Sequence, residues 1–221
     1  MKVLVVCTGN ICRSPVAEQV LTARLRGAGI DDVHVTSAGT NALAGEPMTA
    51  EAAALSVRLG ADPAGHRATQ LTAQLVQEAD LVLTATRAHR AQIAELVPRA
   101  ARRAYTLREF ARVLAFLAAD GAIDDDSTEP DSILGRLDLA PPALGLPNPG
   151  IASPLQRATD AAARSRGIAP PPSDPNDDDI LDPYRAPIAV YDEAGRLIDD
   201  AVDAIVSALA TTSVSGGRGG S

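Results

Sequence analysis

A cysteine, an arginine and a serine stand at positions 7, 13 and 14, within the stretch Val5-Val6-Cys7-Thr8-Gly9-Asn10-Ile11-Cys12-Arg13-Ser14-Pro15. The stretch lies between a short apolar run, Val3 to Val6, and a helix-like segment that opens at Pro15. A buried strand that ends in a small loop and enters a helix points backbone N–H groups into a common cup. The helix N-terminus adds partial positive charge, so the cup suits a tetrahedral oxyanion. Arg13 can close it with a planar two-pronged grip. Cys7 then sits on the floor of an anion site, where thiolate is favoured over thiol. A thiolate beneath a bound phosphate is a nucleophile aimed at phosphorus, able to hold the phosphoryl group covalently. In this scheme the N–H groups from Thr8 through Arg13, those of Gly9, Asn10, Ile11 and Cys12 among them, share the phosphate charge. Ser14 is placed to donate its hydroxyl to the sulfur.

The elements that must position this loop follow from the hydrophobic pattern. Lys2 to Val6 reads as a buried parallel strand, and Pro15 fits the first turn of a helix that ends near Gly27 and Gly29. Val33 to Thr36 predicts a second strand, Asp80 to Thr84 a third and Arg103 to Thr106 a fourth. Helices are expected from Thr49 or Ala50 to Leu59, from Leu71 to Gln77, from Arg87 to Leu96 and from Leu107 to Ala118. The alternation predicts an α/β fold: a doubly wound, flavodoxin-like, four-stranded parallel sheet with helices on both faces. Ligands of such sheets bind at the carboxyl ends of strands, where Cys7 lies. Residues 1–210 read as a single domain. Within it, 119–179 is a Pro/Asp-rich insertion of partly mobile loops around one helix, Ser153 to Arg166, capped by Ser153. Asp192 to Leu209 predicts a final amphipathic helix, and 211–221 a disordered Gly/Ser tail.

The loop sequence resembles the signature of the low-molecular-weight protein tyrosine phosphatases, a family that includes thioredoxin-coupled arsenate reductases. The match is tight over Val6 to Glu18 and returns in Ser37-Ala38-Gly39-Thr40 and Asp182-Pro183-Tyr184. What the resemblance implies is hydrolysis of phosphotyrosine or small aryl phosphates through a cysteinyl-phosphate, without metal or cofactor. It assigns Asn10 to the left-handed turn of the loop and the general-acid role to Asp182, aimed by a loop that Pro183 stiffens. Asp177, Asp178 and Asp179 compete for that role but lack the proline. Ile180 and Leu181 could anchor the loop. Tyr184 and Ile11 would sandwich an aromatic ring at the cleft mouth, the alternative for Tyr184 being simple core packing; Leu43 stands where relatives often carry another aromatic. Ser37 and Thr40 either buttress the loop or merely end a strand, and His66 either supports the loop or lies on the surface. His34 and His89 read as structural or solvated. Cys12 either traps an oxidised Cys7 or fills a tight turn.

Composition narrows the classes. A net charge of −8 argues against nucleic acid as a general partner. Only four apolar residues separate Lys2 from Cys7, and no apolar run is long enough to cross a bilayer, so the cytoplasm is the expected compartment and no membrane partner is implied. Two rivals stay open. Arsenate fits the same cup, but a three-cysteine relay needs cysteines downstream of Cys12, and there are none; an external thiol could still serve. A non-catalytic phosphotyrosine reader would have its acid missing or misplaced. Bacterial relatives often act on tyrosine kinases of polysaccharide export, so a cognate kinase is the partner that the resemblance implies.

Overall fold

The computed structural model describes residues 1–119, Ile123 and 153–214, with side chains to residue 210. Four strands, β1 (Lys2–Cys7), β2 (His34–Gly39), β3 (Leu81–Thr84) and β4 (Ala104–Thr106), form one parallel sheet in the order β2-β1-β3-β4. The chain leaves β1 for β2 on one side and returns to β3 on the other. The order therefore reverses at the carboxyl end of β1, the crevice in which such sheets bind ligands.

Alternation along β1 explains the layers. Val3 and Val5 face a core shared with α1 (Arg13–Gly27), α2 (Ala50–Arg58), α5 (Leu107–Ala119), α6 (Pro154–Arg164) and α7 (Ile188–Val214). Leu4 and Val6 face a smaller core with α3 (Ala73–Glu78) and α4 (Arg87–Leu96). Each fully buried aliphatic side chain contributes roughly 1.5–3 kcal/mol, so the central strand is the least movable part of the fold. A 3-10 helix, Pro98–Arg103, leads into β4.

Several boundaries differ from expectation. β2 extends to Gly39 instead of ending at Thr36, because its ladder with β1 continues until Cys7 pairs with Gly39. α1 opens at Arg13, two residues before Pro15, which puts the arginine in the helix's first turn. α7 begins at Ile188 instead of Asp192, directly after Pro187, and places Tyr191 in the core. It also continues to Val214, through the first four residues of the expected tail; 215–221 lie outside the described residues. Of the expected insertion, 120–122 and 124–152 also lie outside them. From Ser153 the chain packs: Ser153 caps α6 by accepting from Gln156 N, and Leu155, Ala158 and Ala162 enter the main core.

Gly39 lies where strand and loop meet. A Cβ there would sit 2.4 Å from Thr8 O and 3.0 Å from Asn10 N, both backbone atoms of the loop. Gly39→Ala should therefore cost about 2–4 kcal/mol, measured by urea unfolding. A loss under about 1 kcal/mol would show that the loop moves aside freely.

Candidate active site

The residues between β1 and α1 form the loop that was expected, and its shape has identifiable causes. Its carbonyls are drawn outward by neighbouring segments. Cys7 O accepts from Thr40 N at 2.9 Å, Thr8 O from Asn41 N at 3.0 Å, Gly9 O from Leu43 N at 3.1 Å and Ile11 O from Thr49 N at 3.1 Å. Asn10 O meets His66 Nε2 at 2.8 Å, and Cys12 O accepts from Val16 N at 3.2 Å. With every carbonyl from Cys7 to Cys12 engaged, none of the N–H groups from Thr8 to Cys12 donates to another described residue. Such amides at a helix N-terminus are an anion cradle.

Asn10 holds the turn. Its φ is +55°, a left-handed conformation that asparagine tolerates better than most residues. Its side-chain oxygen accepts from Thr69 N at 2.7 Å, which fixes the orientation of the amide. The amide nitrogen then donates to Ser14 Oγ at 2.9 Å and to Ser37 Oγ at 2.8 Å. Because Ser14 already accepts from Asn10, its own proton is free for Cys7 Sγ, 3.0 Å away. Ser37 passes its proton on to Glu18 Oε2 at 2.5 Å; burial pushes the Glu18 carboxyl up from its ordinary value, and the serine bond partly opposes that. Ser37 thus supports the loop through Asn10, while Thr40 does so through its backbone N–H.

Arg13 is almost fully buried. Its Nη1 donates to Ile180 O at 3.1 Å, and its Nη2 pairs with Asp182 Oδ2 at 2.8 Å. Asp182, 169 positions further along the chain, is therefore brought to this arginine, and its side chain remains half exposed. Asp182 Oδ1 also accepts from Tyr184 N at 3.2 Å, a local turn that bends the chain around Pro183. A cavity of about 300 Å³ opens here, lined by Cys7, Ile11, Arg13, Leu43, Asp182 and Tyr184. Ile180 is buried and anchors the loop, as expected; Leu181 is exposed and does not. Asp178 and Asp179 pair with Arg112 and Arg87, away from the lining of the cavity.

Cys12 is turned to other partners. Its thiol lies 3.6 Å from Thr49 Oγ1 and 3.8 Å from Tyr191 OH, and burial pushes its pKa up, which favours the protonated form. Two further residues, Tyr191 and Arg185, were not singled out from the sequence. Tyr191 braces the back of the loop. Arg185, at φ +61°, lies over the Tyr184 ring with its guanidinium carbon 5.0 Å from the centroid, adding positive charge at the rim.

His89, read from the sequence as structural or solvated, is buried and structural: it shares hydrogen bonds with Thr8 Oγ1 at 2.9 Å and Thr86 Oγ1 at 2.7 Å. Burial, reinforced by the Arg13 charge, lowers its pKa from 6.5 to about 4. The folded protein thus holds a neutral ring that the unfolded chain would protonate below about 6.5. Its stabilising contribution is complete above that pH and is lost as pH falls toward about 4. His89→Gln should flatten the acid limb of the stability curve by an amount on the order of 2 kcal/mol, read as the wild-type minus variant difference between pH 7 and pH 4.

A family described as low molecular weight phosphotyrosine protein phosphatase matches residues 2–125. Asp182 and Tyr184 lie beyond the matched span. The low molecular weight protein-tyrosine-phosphatase Etp of Escherichia coli (strain K12) is 42% identical over 96 residues, covering 43% of this chain and 62% of that protein. The probable low molecular weight protein-tyrosine-phosphatase EpsP of Ralstonia nicotianae is 45% identical over 91 residues, covering 41% and 59%. The chain therefore spans less than two thirds of the length of either relative. Over the whole fold, the crystal structure of a low molecular weight protein tyrosine phosphatase from T. tengcongensis superposes with a TM-score of 0.60 at 25% identity, covering 94% of this chain and 98% of that one.

Proposed function

The chain belongs to the low molecular weight phosphotyrosine protein phosphatase family, and from that premise we propose that it hydrolyses aryl phosphate monoesters, phosphotyrosine among them, through a cysteinyl-phosphate intermediate. The observation that carries the proposal is the meeting of Cys7, Arg13 and Asp182 around one cavity, with Ser14 Oγ on the Cys7 sulfur behind it. Cys7 attacks phosphorus in line with the ester oxygen, while the loop amides and Arg13 take the spreading charge on the equatorial oxygens. The P–O ester bond breaks as Asp182 delivers a proton to the departing phenolate. Asp182 then accepts a proton from water as that water attacks the thiophosphate, and the sulfur leaves as a thiolate steadied by the Ser14 hydroxyl. The apolar walls supplied by Ile11, Leu43 and Tyr184 support a flat aromatic leaving group.

Asp182 starts on Arg13, so an arriving phosphate dianion competes for that guanidinium. Once the phosphate wins, the carboxyl is freed beside the ester oxygen. A reader that never turns over would gain nothing from that exchange.

The test is hydrolysis of p-nitrophenyl phosphate and of phosphotyrosine and phosphoserine peptides in the presence of EDTA. The expected result is turnover of the aryl esters and little of the serine ester. Tight phosphate binding without turnover would favour the non-catalytic reading. Steady arsenate reduction with added thiol, beside negligible phosphatase activity, would favour the reductase. A tyrosine-phosphorylated kinase of bacterial polysaccharide export belongs among the protein substrates assayed.

A further inference from the structure

At Asp178 and Asp179, immediately before Ile180-Leu181-Asp182, the chain passes through a clamp of arginines. Asp179 accepts from Arg87 N, the first residue of α4, at 2.8 Å, and the Arg87 side chain grips the same carboxylate through Nε at 3.2 Å and Nη2 at 3.0 Å. Arg87 Nη2 also reaches Asn176 Oδ1 at 2.8 Å. A carboxylate on a helix N-terminus, forked by a guanidinium, is a strong and geometrically specific pair. On the far side Arg112, from α5, holds the buried Asp178 with Nη2 at 3.0 Å from Oδ2, and Arg108 Nη1 lies 3.4 Å from Asp179 O.

Backbone bonds continue the connection. Ile180 N donates to Ala85 O at 2.8 Å, and Ala85 N donates to Val6 O at 2.8 Å. The segment carrying the acid is thereby tied to the strand that ends in Cys7. Two residues of extended chain span at most about 7 Å, so fixing Ile180 confines where the Asp182 carboxyl can be.

We infer that Arg87 and Asp179 are positioning residues for the general acid: their ion pair registers the Asp182 loop against the carboxyl ends of β1 and β3. The inference rests on the proposed acid role of Asp182. The pair touches neither the cup nor its amides, so its loss disturbs proton delivery while leaving phosphate binding to the cradle.

The test compares kcat on phenyl phosphate, a poor leaving group, with kcat on p-nitrophenyl phosphate, a good one, alongside inhibition by inorganic phosphate. Arg87→Gln and Asp179→Asn should each slow phenyl phosphate about 10- to 100-fold and p-nitrophenyl phosphate by less than about threefold, with phosphate inhibition unchanged. Arg87→Lys, which keeps the charge, should recover part of the loss. Equal losses on both substrates, or none in either variant, would overturn the clamp. Asp182→Asn is measured in parallel. If that variant shows the selective loss and the clamp variants do not, only the positioning role fails. If Asp182→Asn itself shows no selective loss, the acid assignment fails and the positioning role with it.

Discussion

Replacing Cys7 with serine should lower kcat on p-nitrophenyl phosphate about 10⁴-fold or more while inorganic phosphate still binds. The two halves of that result have separate causes. Serine keeps the shape of the side chain, and its oxygen can still meet Ser14 Oγ, which lies 3.0 Å from the sulfur in the wild type. The cradle is built from backbone amides whose orientation is set by the outward carbonyl bonds to Thr40, Asn41, Leu43 and Thr49, none of which involves the sulfur. Binding therefore survives. A hydroxyl, however, stays protonated at neutral pH and is both a weaker nucleophile and a poorer leaving group than a thiolate. Calorimetric titration with phosphate, beside steady-state rates, separates the two effects. Retained turnover in Cys7→Ser would remove the covalent route; loss of phosphate binding would mean that the sulfur itself shapes the cradle.

What was legible in the sequence was local. From Cys7 to Ser14 a strand end and a helix start follow one another across a short loop, so composition and spacing are enough to place it; the left-handed turn at Asn10 came from the family resemblance. The alternation of Val3, Leu4, Val5 and Val6 likewise gives a strand buried on both faces, and hence a parallel sheet. The supports of that loop were harder to read. Gly39 is needed for a close backbone approach and not for an unusual φ, and nothing in its neighbours announces a contact with Thr8. His89 bonds to Thr8 across 81 positions, and Tyr191 reaches Cys12 across 179; neither has periodicity or local motif to signal it.

The acidic run before Asp182 shows the same limit more sharply. Asp177, Asp178 and Asp179 look alike on the page, and the absence of a following proline distinguishes them only weakly from a catalytic carboxylate. Their partners settle what two of them do: Arg112 and Arg87 come from helices 66 and 92 positions earlier. Leu181 fails as an anchor for a related reason. In extended chain, successive side chains point to opposite sides, so with Ile180 buried its neighbour is turned outward. The sequence named both as apolar, and only the packing of the loop against β3 tells them apart.

Arg13→Lys should lower kcat about 10³-fold and weaken phosphate binding as well, a pattern that Cys7→Ser does not share. Lysine keeps the charge, so any loss measures geometry. The Arg13 guanidinium is spread between two partners, Ile180 O through Nη1 and Asp182 Oδ2 through Nη2. A planar fork can turn from the carboxylate to two phosphate oxygens while retaining its bond to Ile180; a single ammonium cannot satisfy both directions. Losing the bond to Ile180 O also loosens the loop that carries Asp182, the proposed acid. Arg13→Lys should therefore slow phenyl phosphate more than p-nitrophenyl phosphate, on top of the loss common to both. An equal loss on the two esters would confine Arg13 to the phosphate and leave the Asp182 loop to the Arg87–Asp179 pair. A variant with near wild-type rates would show that the loop amides alone carry the transition-state charge, and that the buried guanidinium serves the fold.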